Sequence, residues 1–333
     1  MRALASLASL AFCALALAAC GKESKDGKEK ENAPAATAAV SEAVKPTKEL
    51  TFALVSHANA GDKYWDVVKT GEEQAGKDLG IKVSYQGSGN PQKQAQLIDA
   101  AVSQKVDGLI VSMANPEALK SSIEAAVHAG IPVITIDSGV EKSAEYGALT
   151  HIGQMEKIAG HAAGERLAKK SLKHVICVIH EAGNVGLEER CTGAKESLGK
   201  LEHLQVNISD LTSATATIAA KLQADSSIDG VLTLNNAVAT AAVNAAERAN
   251  RPTVTLATFD IDANVLSSIS NGKIFFAIDQ QPFLQGYLPV SFLKLYKMNG
   301  TTVGGGQPVL TGPGFIDKAN VEQVQKFVQQ GMR

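Results

Sequence analysis

Val106-Asp107-Gly108-Leu109-Ile110-Val111 and Ile228-Asp229-Gly230-Val231-Leu232-Thr233 are the same phrase written twice in one chain. In each, a β-branched residue and Asp-Gly lead into an apolar run of strand length. An Asn or Asn-Pro follows (Asn115-Pro116, Asn235-Asn236), then an Ala-rich stretch, a Pro (Pro132, Pro252) and a second apolar run. Those runs end alike, in Ile136-Asp137 and Phe259-Asp260. Asn before a periodic stretch is a helix-start signal, so each copy reads strand, helix, strand.

The repetition extends upstream. Thr51 to Val55 leads through Ser56-His57 into a stretch carrying Thr70-Gly71, and Val175 to Ile179 leads through His180-Glu181 to Thr192-Gly193. Tyr64 to Leu79 reads as a helix that ends at Gly80, and Ile81 to Gln86 as another strand. Continuous apolar strands alternating with amphipathic helices are the pattern of a parallel sheet covered on both faces. The expectation is therefore α/β: two similar, doubly wound, parallel-sheet lobes. Ligands of such sheets lie outside the carboxyl ends of the strands, at the switch in strand order. Those ends supply Ser56, His57, Ser112, Met113, Asp137 and Ser138 from one copy. The other copy supplies His180, Glu181, Asn235, Asn236 and Asp260. Such a set, rich in paired donors and acceptors, suits a neutral polyhydroxylated molecule.

The chain's 333 residues leave room for about two domains. Aromatics are only 5%, so the cores are built mainly from Ala, Val, Leu and Ile. With a net charge of −2 and no basic block beyond a short N-terminal stretch, nucleic acid is not an expected partner. Arg2 precedes an apolar run from Ala3 to Ala19 that stops at Leu17-Ala18-Ala19-Cys20, the pattern of an export signal over residues 1–19. Residues 20–48 are first mixed charge, then Ala, Pro and Thr; with no face to bury, they read as a solvated tether. Cys177 and Cys191 remain in the body, either as two buried thiols or as a bridge closing a loop of about 15 residues, worth roughly 3 kcal/mol. Export favours the bridge.

Catalytic patterns are absent from the sequence. Gly304-Gly305-Gly306 lacks the Lys of a phosphate loop, and Gly183-Asn184-Val185-Gly186 is not a full dinucleotide fingerprint. No nucleophile elbow and no zinc-binding His spacing occur, so no metal and no cofactor are expected. Asp137 and Asp260 have three readings: an acid/base pair, caps of the next helices, or acceptors for ligand hydroxyls. One on each copy favours the third, and the chain is not expected to be an enzyme. Arg190, in the first helix of the second copy, offers a planar fork for two oxygens; the alternative is a surface Arg paired with Glu188 or Glu189. Tyr64 and Trp65, at the start of the first helix, could stack on a sugar ring or pack in the core.

In this order and spacing, several further segments matter: Asp62-Lys63-Tyr64-Trp65, Gly130-Ile131-Pro132-Val133-Ile134-Thr135-Ile136-Asp137, Arg190 with Gly193, Gly272-Lys273 and Ala277-Ile278-Asp279-Gln280. From about Leu50 onward the chain resembles the type I periplasmic binding proteins of the ribose/galactose branch, which feed ABC transporters. The resemblance implies three crossovers between lobes, near Gly153–Met155, Asp279–Gln281 and Leu310–Pro313, with closure by hinge motion. Lobe one would comprise residues 49–153 and 281–311, and lobe two 154–280 and 312–333. It places Tyr64, Trp65, Asp137, Arg190, Asn235, Asp260 and Gln280 at the ligand, with Asp62 where the family often has Asn. Ser56 and His57 join this set from the strand-end reading. The stretch ending in Cys20 is similar to a bacterial lipobox, which implies a diacylated Cys20 and an envelope-anchored, monomeric protein: periplasmic side in a Gram-negative, outer membrane face in a Gram-positive. The implied partners are a small sugar-like ligand and an ABC permease; a sensory protein passing its ligand to a membrane receptor is the alternative. Two departures count against a simple aldohexose and leave room for a cyclitol, a small furanose-like signal or another polar solute. Ser209-Asp210-Leu211-Thr212 lacks the second aromatic of many sugar binders, and His57, His151 and His180 are not general family residues.

Overall fold

In the computed structural model the described residues are 49–333. The export signal, Cys20 and the tether lie outside them. Lobe one opens with β1 (Thr51–Ser56), α1 (Lys63–Leu79), β2 (Lys82–Gly87), α2 (Pro91–Ser103) and β3 (Gly108–Ser112). It continues through α3 (Pro116–His128), β4 (Val133–Asp137), the short α4 (Val140–Ser143) and β5 (Thr150–Gly153). Lobe two runs through α5 (Glu156–Ala168), β6 (Val175–Ile179), α6 (Val185–Leu198), β7 (Leu201–Gln205) and α7 (Leu211–Ala224). β8 (Gly230–Thr233), α8 (Asn236–Arg248), β9 (Thr255–Phe259), α9 (Ala263–Ser270) and β10 (Phe276–Asp279) follow. The chain then returns for α10 (Pro282–Asn299) and β11 (Val309–Leu310), and finishes with β12 (Gly314–Ile316) and α11 (Val321–Gln329).

The two six-stranded sheets have the same order, β2-β1-β3-β4-β5-β11 and β7-β6-β8-β9-β10-β12. The pairings are parallel, except that β12 runs antiparallel to β10 at the sheet edge. Central strands such as β3, β4, β6 and β8 are buried along their whole length, which is why they read as unbroken apolar runs; the edge strand β2 is largely exposed. Each sheet carries an apolar cluster on either face.

The repeated Asp-Gly phrase turns out to be architectural. Asp107 accepts from the backbone N–H of Thr51 (3.0 Å), and Asp229 accepts from those of Lys173 (2.7 Å) and His174 (2.9 Å). Each Asp thus pins the start of its lobe's first strand. A Cβ on Gly108 would strike Phe52, and one on Gly230 would strike Leu172 and Val175. The first helix ends as the sequence signals, with Gly80 in the left-handed region (φ 64°) after α1.

The chain crosses between sheets three times: at Gln154-Met155, at Gln280-Gln281, and at Thr311 to Pro313. These segments lie side by side. Thr311 N–H donates to the Gly153 carbonyl (2.7 Å), and the Gln281 amide donates to the Thr311 carbonyl (2.6 Å). Cys177 in β6 and Cys191 in α6 are joined as a disulfide inside the lobe-two core.

Candidate functional site

The strand ends of both sheets converge on one small cavity, of about 30 Å³, between the lobes. Of the residues expected there, His57, Tyr64, Trp65, Asp137, Arg190, Asn235, Asp260 and Gln280 border it. Ser56 does not. Its hydroxyl is turned to the Tyr85 phenol (2.8 Å) and to the backbone of Ala58, because alternate residues of a strand face opposite ways and it is His57 that faces the cleft.

Asp137 and Asp260 occupy equivalent places after β4 and β9, and both hold the left-handed backbone conformation, with φ of 64° and 65°. A non-glycine residue there costs free energy, and the same departure recurs in both lobes. Neither carboxylate caps a helix; that role falls to Asp262 for α9. Asp137 accepts from the Tyr64 phenol (2.9 Å) and from Ser138 (2.8 Å). Asp260 accepts from the Gln280 amide (2.7 Å), and burial pushes its carboxyl up to about 8 against the pull of Arg190. Asn235 caps α8 through its Oδ1 (2.8 Å to Ala237 N–H), which leaves its amide N–H₂ to donate.

Arg190 is not a surface residue paired with Glu188 or Glu189. It is buried, and Glu156 holds its fork with two bonds, 2.5 Å to Nε and 3.0 Å to Nη2. The remaining nitrogen, Nη1, donates to the Leu234 carbonyl (3.3 Å), and Nη2 lies 3.4 Å from the Gln280 side-chain oxygen. Burial pushes Glu156 up to about 7 against the guanidinium; Arg190 loses hydration, but the carboxylate more than offsets this and keeps it charged. The guanidinium also lies over the Phe259 ring, 4.7 Å from its centroid.

Trp65 meets the edges of His57 (4.8 Å) and Tyr64 (5.2 Å), forming an aromatic wall on the lobe-one side. His57 Nδ1 pairs with the Ser112 hydroxyl (2.8 Å), so Nε2 faces Asp137 at 3.7 Å and Glu181 of the other lobe at 3.8 Å. His180 and His151 are buried, and loss of hydration lowers each to about 4, so both are neutral near pH 7. The lobes touch in this conformation: Val185 N–H donates to the Ala114 carbonyl (3.0 Å) across the cleft.

Three contributors escaped the sequence reading. Glu156 lies on the buried face formed with Ala159, Gly160, Ala163 and Gly164; an acid on that small-residue face was the available signal. Asn184 caps α6 and lines the cavity, and an Asn opening a periodic stretch could have found it. Gln285 stands behind the site, 3.1 Å from the Tyr64 phenol and donating to Gln280 and to Thr311 of the third crossover. No local pattern marks it. Gln280 and Gln285 thereby tie the cleft to two of the crossovers.

Known proteins share this fold. Residues 52–301 match the periplasmic binding protein domain. The chain is 42% identical to a carbohydrate transporter from Acidothermus cellulolyticus 11B, solved in complex with myo-inositol. That match covers 86% of this chain and 100% of the other, with a TM-score of 0.84. It is 26% identical to the xylose/arabinose-binding protein of Sulfolobus acidocaldarius over 68% of this chain and 60% of that one, so it spans less than two thirds of that relative's length. It is likewise 26% identical to the ribose import binding protein of Bacillus subtilis, over 72% of this chain and 79% of the other.

Proposed function

Since the chain belongs to the periplasmic binding protein domain family, we propose that it is the solute-capturing component of an ABC importer and takes a small polyol, a cyclitol before a simple aldohexose. The observation that carries this reading is the duplicated strand-end carboxyl, Asp137 from one lobe and Asp260 from the other, bordering a single cavity between the lobes. A ring with hydroxyls all round can donate to both acids and accept from the Asn235 amide, while the Trp65–Tyr64 wall covers its C–H face. Aromatic cover from one lobe alone suits a ring whose other face is as polar as its rim. The relative of 42% identity was solved with such a ring bound.

Binding and hinge closure are one event in this arrangement. Gln280 belongs to a crossover and also bonds Asp260, so fixing that carboxyl on a ligand biases the hinge. The closed pair of lobes is what a permease would engage. No bond-making step is called for, and the protein acts as a monomer without cofactor. Cys20 carries the acyl anchor and residues 20–48 let the body reach the membrane surface. Replacing Cys20 with Ala is expected to release the protein from membranes.

Titration calorimetry of the purified protein with myo-inositol tests the reading. Binding of one ring per chain is expected, with pentoses and aldohexoses weaker. Failure to bind any cyclitol or monosaccharide, together with no small molecule retained through purification by mass spectrometry, would sink it.

A further inference from the structure

The acids around the cavity outnumber the cations that could answer them. Asp62, Asp137, Glu181 and Asp260 all border it, and the field of Asp62 is felt at Asp260 while those of Asp137 and Glu181 are felt at Asp62. Arg190 is the one bordering Arg or Lys, and its charge is already matched by Glu156 through two bonds. His57 lies between two of the acids, yet beyond hydrogen-bonding distance of both. Burial pushes Asp62 up to about 6 and Asp260 up to about 8, outweighing the pull of His57 on Asp62 and of Arg190 on Asp260.

A second observation points the same way. His180 borders the cavity, is buried, and its Nδ1 has no hydrogen-bond partner. A buried imidazole nitrogen left without a partner is a hydrogen-bonding group that the protein does not satisfy, and in the tautomer that leaves Nδ1 unprotonated it accepts from an N–H or O–H. These groups are not gathered tightly enough for a metal ion. Among the described residues, the one cluster of three such ligands within 4.8 Å of one another is His174, Glu202 and Asp225; His174 precedes β6 at the end opposite His180, and the cluster is already answered by Lys200 and Lys221. The cleft's acids are instead spread round the cavity, from both lobes.

We propose that the cleft prefers a polyhydroxylated ring bearing a protonated amino group, with its ammonium on the side formed by Asp62, Glu181 and His180, and that it rejects rings bearing a carboxylate or phosphate. The inference rests on the reading of the cleft as a polyol site and adds the charge of its ligand. An ammonium brings up to three N–H donors and a positive charge to this acidic lining; an anion would enter beside Asp62, Asp137 and Glu181 with Arg190 already bonded to Glu156. Asp62 is central to this, because an Asn in its place could still cap α1 through its side-chain oxygen while removing the charge.

Calorimetry of the full chain at pH 7.5 with myo-inositol, an amino-deoxy-inositol and glucuronate tests it. The aminated ring is expected to bind at least tenfold more tightly than myo-inositol, and glucuronate at least tenfold more weakly. In Asp62→Asn the ratio between aminated and neutral rings is expected to fall at least fivefold. An aminated ring that binds no better than myo-inositol, or a ratio unmoved in Asp62→Asn, overturns the inference and leaves the polyol reading standing. Binding of neither ring overturns both.

Discussion

In lobe one, α1 and α10 cross at Gly71 and Gly286; in lobe two, α6 and α5 cross at Gly193 and Gly160. A Cβ on any of these four glycines would fall within 2.1 Å of a carbonyl oxygen of the facing helix, so both pairs pack backbone to backbone by the same device. What flanks the crossing differs. Three residues before the glycine, lobe one has Val68 and lobe two has Arg190; one residue after it, lobe one has Glu72 and lobe two has Ala194. On the facing helix, Pro282 stands where lobe two has Glu156. The duplication has kept the steric positions and let the charges drift apart. Lobe two buries a matched ion pair that borders the cleft, and lobe one buries a carboxyl, Glu72, with neither oxygen bonded.

Breaking the ion pair is the most damaging way to test this contrast. Arg190→Ala leaves Glu156 buried with the Gln154 amide (3.0 Å) as its remaining bonded partner, and is expected to cost about 3–5 kcal/mol in urea unfolding. Giving lobe two the apolar arrangement, Arg190→Val together with Glu156→Leu, is expected to recover most of that loss while abolishing ligand binding. A double variant as unstable as the single one would mean that the pair itself, rather than its balance, holds α5 to α6.

Glu72 gives the opposite sign. Burial first, and Glu73 next, push its carboxyl up to about 8. Its folded pKa therefore lies above the unfolded value, so the native state binds more protons and stability falls as pH rises from about 4.5 to 8. Glu72→Ala, which copies Ala194, is expected to flatten that slope and to stabilise the protein by roughly 4 kcal/mol at pH 8, with a gain under about 1 kcal/mol at pH 5. Parallel stability–pH curves for the two proteins would contradict the burial of an unpaired acid at this crossing.

How much of this was legible in the sequence follows from how local each signal is. The Asp-Gly phrase, the capping Asn residues and the apolar strands are read within a few residues, and they gave both sheets and the cleft between them. Asp137 and Asp260 were legible because a strand end fixes where its last side chain goes. Arg190 was visible, but its partner was not: Glu156 lies 34 positions away on a different helix, brought into reach by the Gly160–Gly193 crossing. Gln285 is more remote still, bonding Tyr64 across 221 positions. Ser56 was placed on the wrong side because a one-residue step reverses a strand's side chains, and the end of β1 cannot be fixed that closely from its composition.

The smallest effect is expected where the two lobes look most alike, at the paired strand-end acids. Asp260 is pushed up to about 8 by burial and so carries its proton at pH 6; Asp260→Asn then exchanges one neutral group for another of the same shape. Affinity for myo-inositol at pH 6 is expected to fall by less than about tenfold, under roughly 1.4 kcal/mol. As pH rises through 8 the native carboxyl ionises and accepts more strongly from ligand hydroxyls, so wild-type affinity is expected to rise by pH 9 while that of the variant stays level. Calorimetry at the two pH values separates these cases. A variant that follows the wild-type rise would move the titrating group from Asp260 to another acid of the cleft, and Asp62 would be the first to replace.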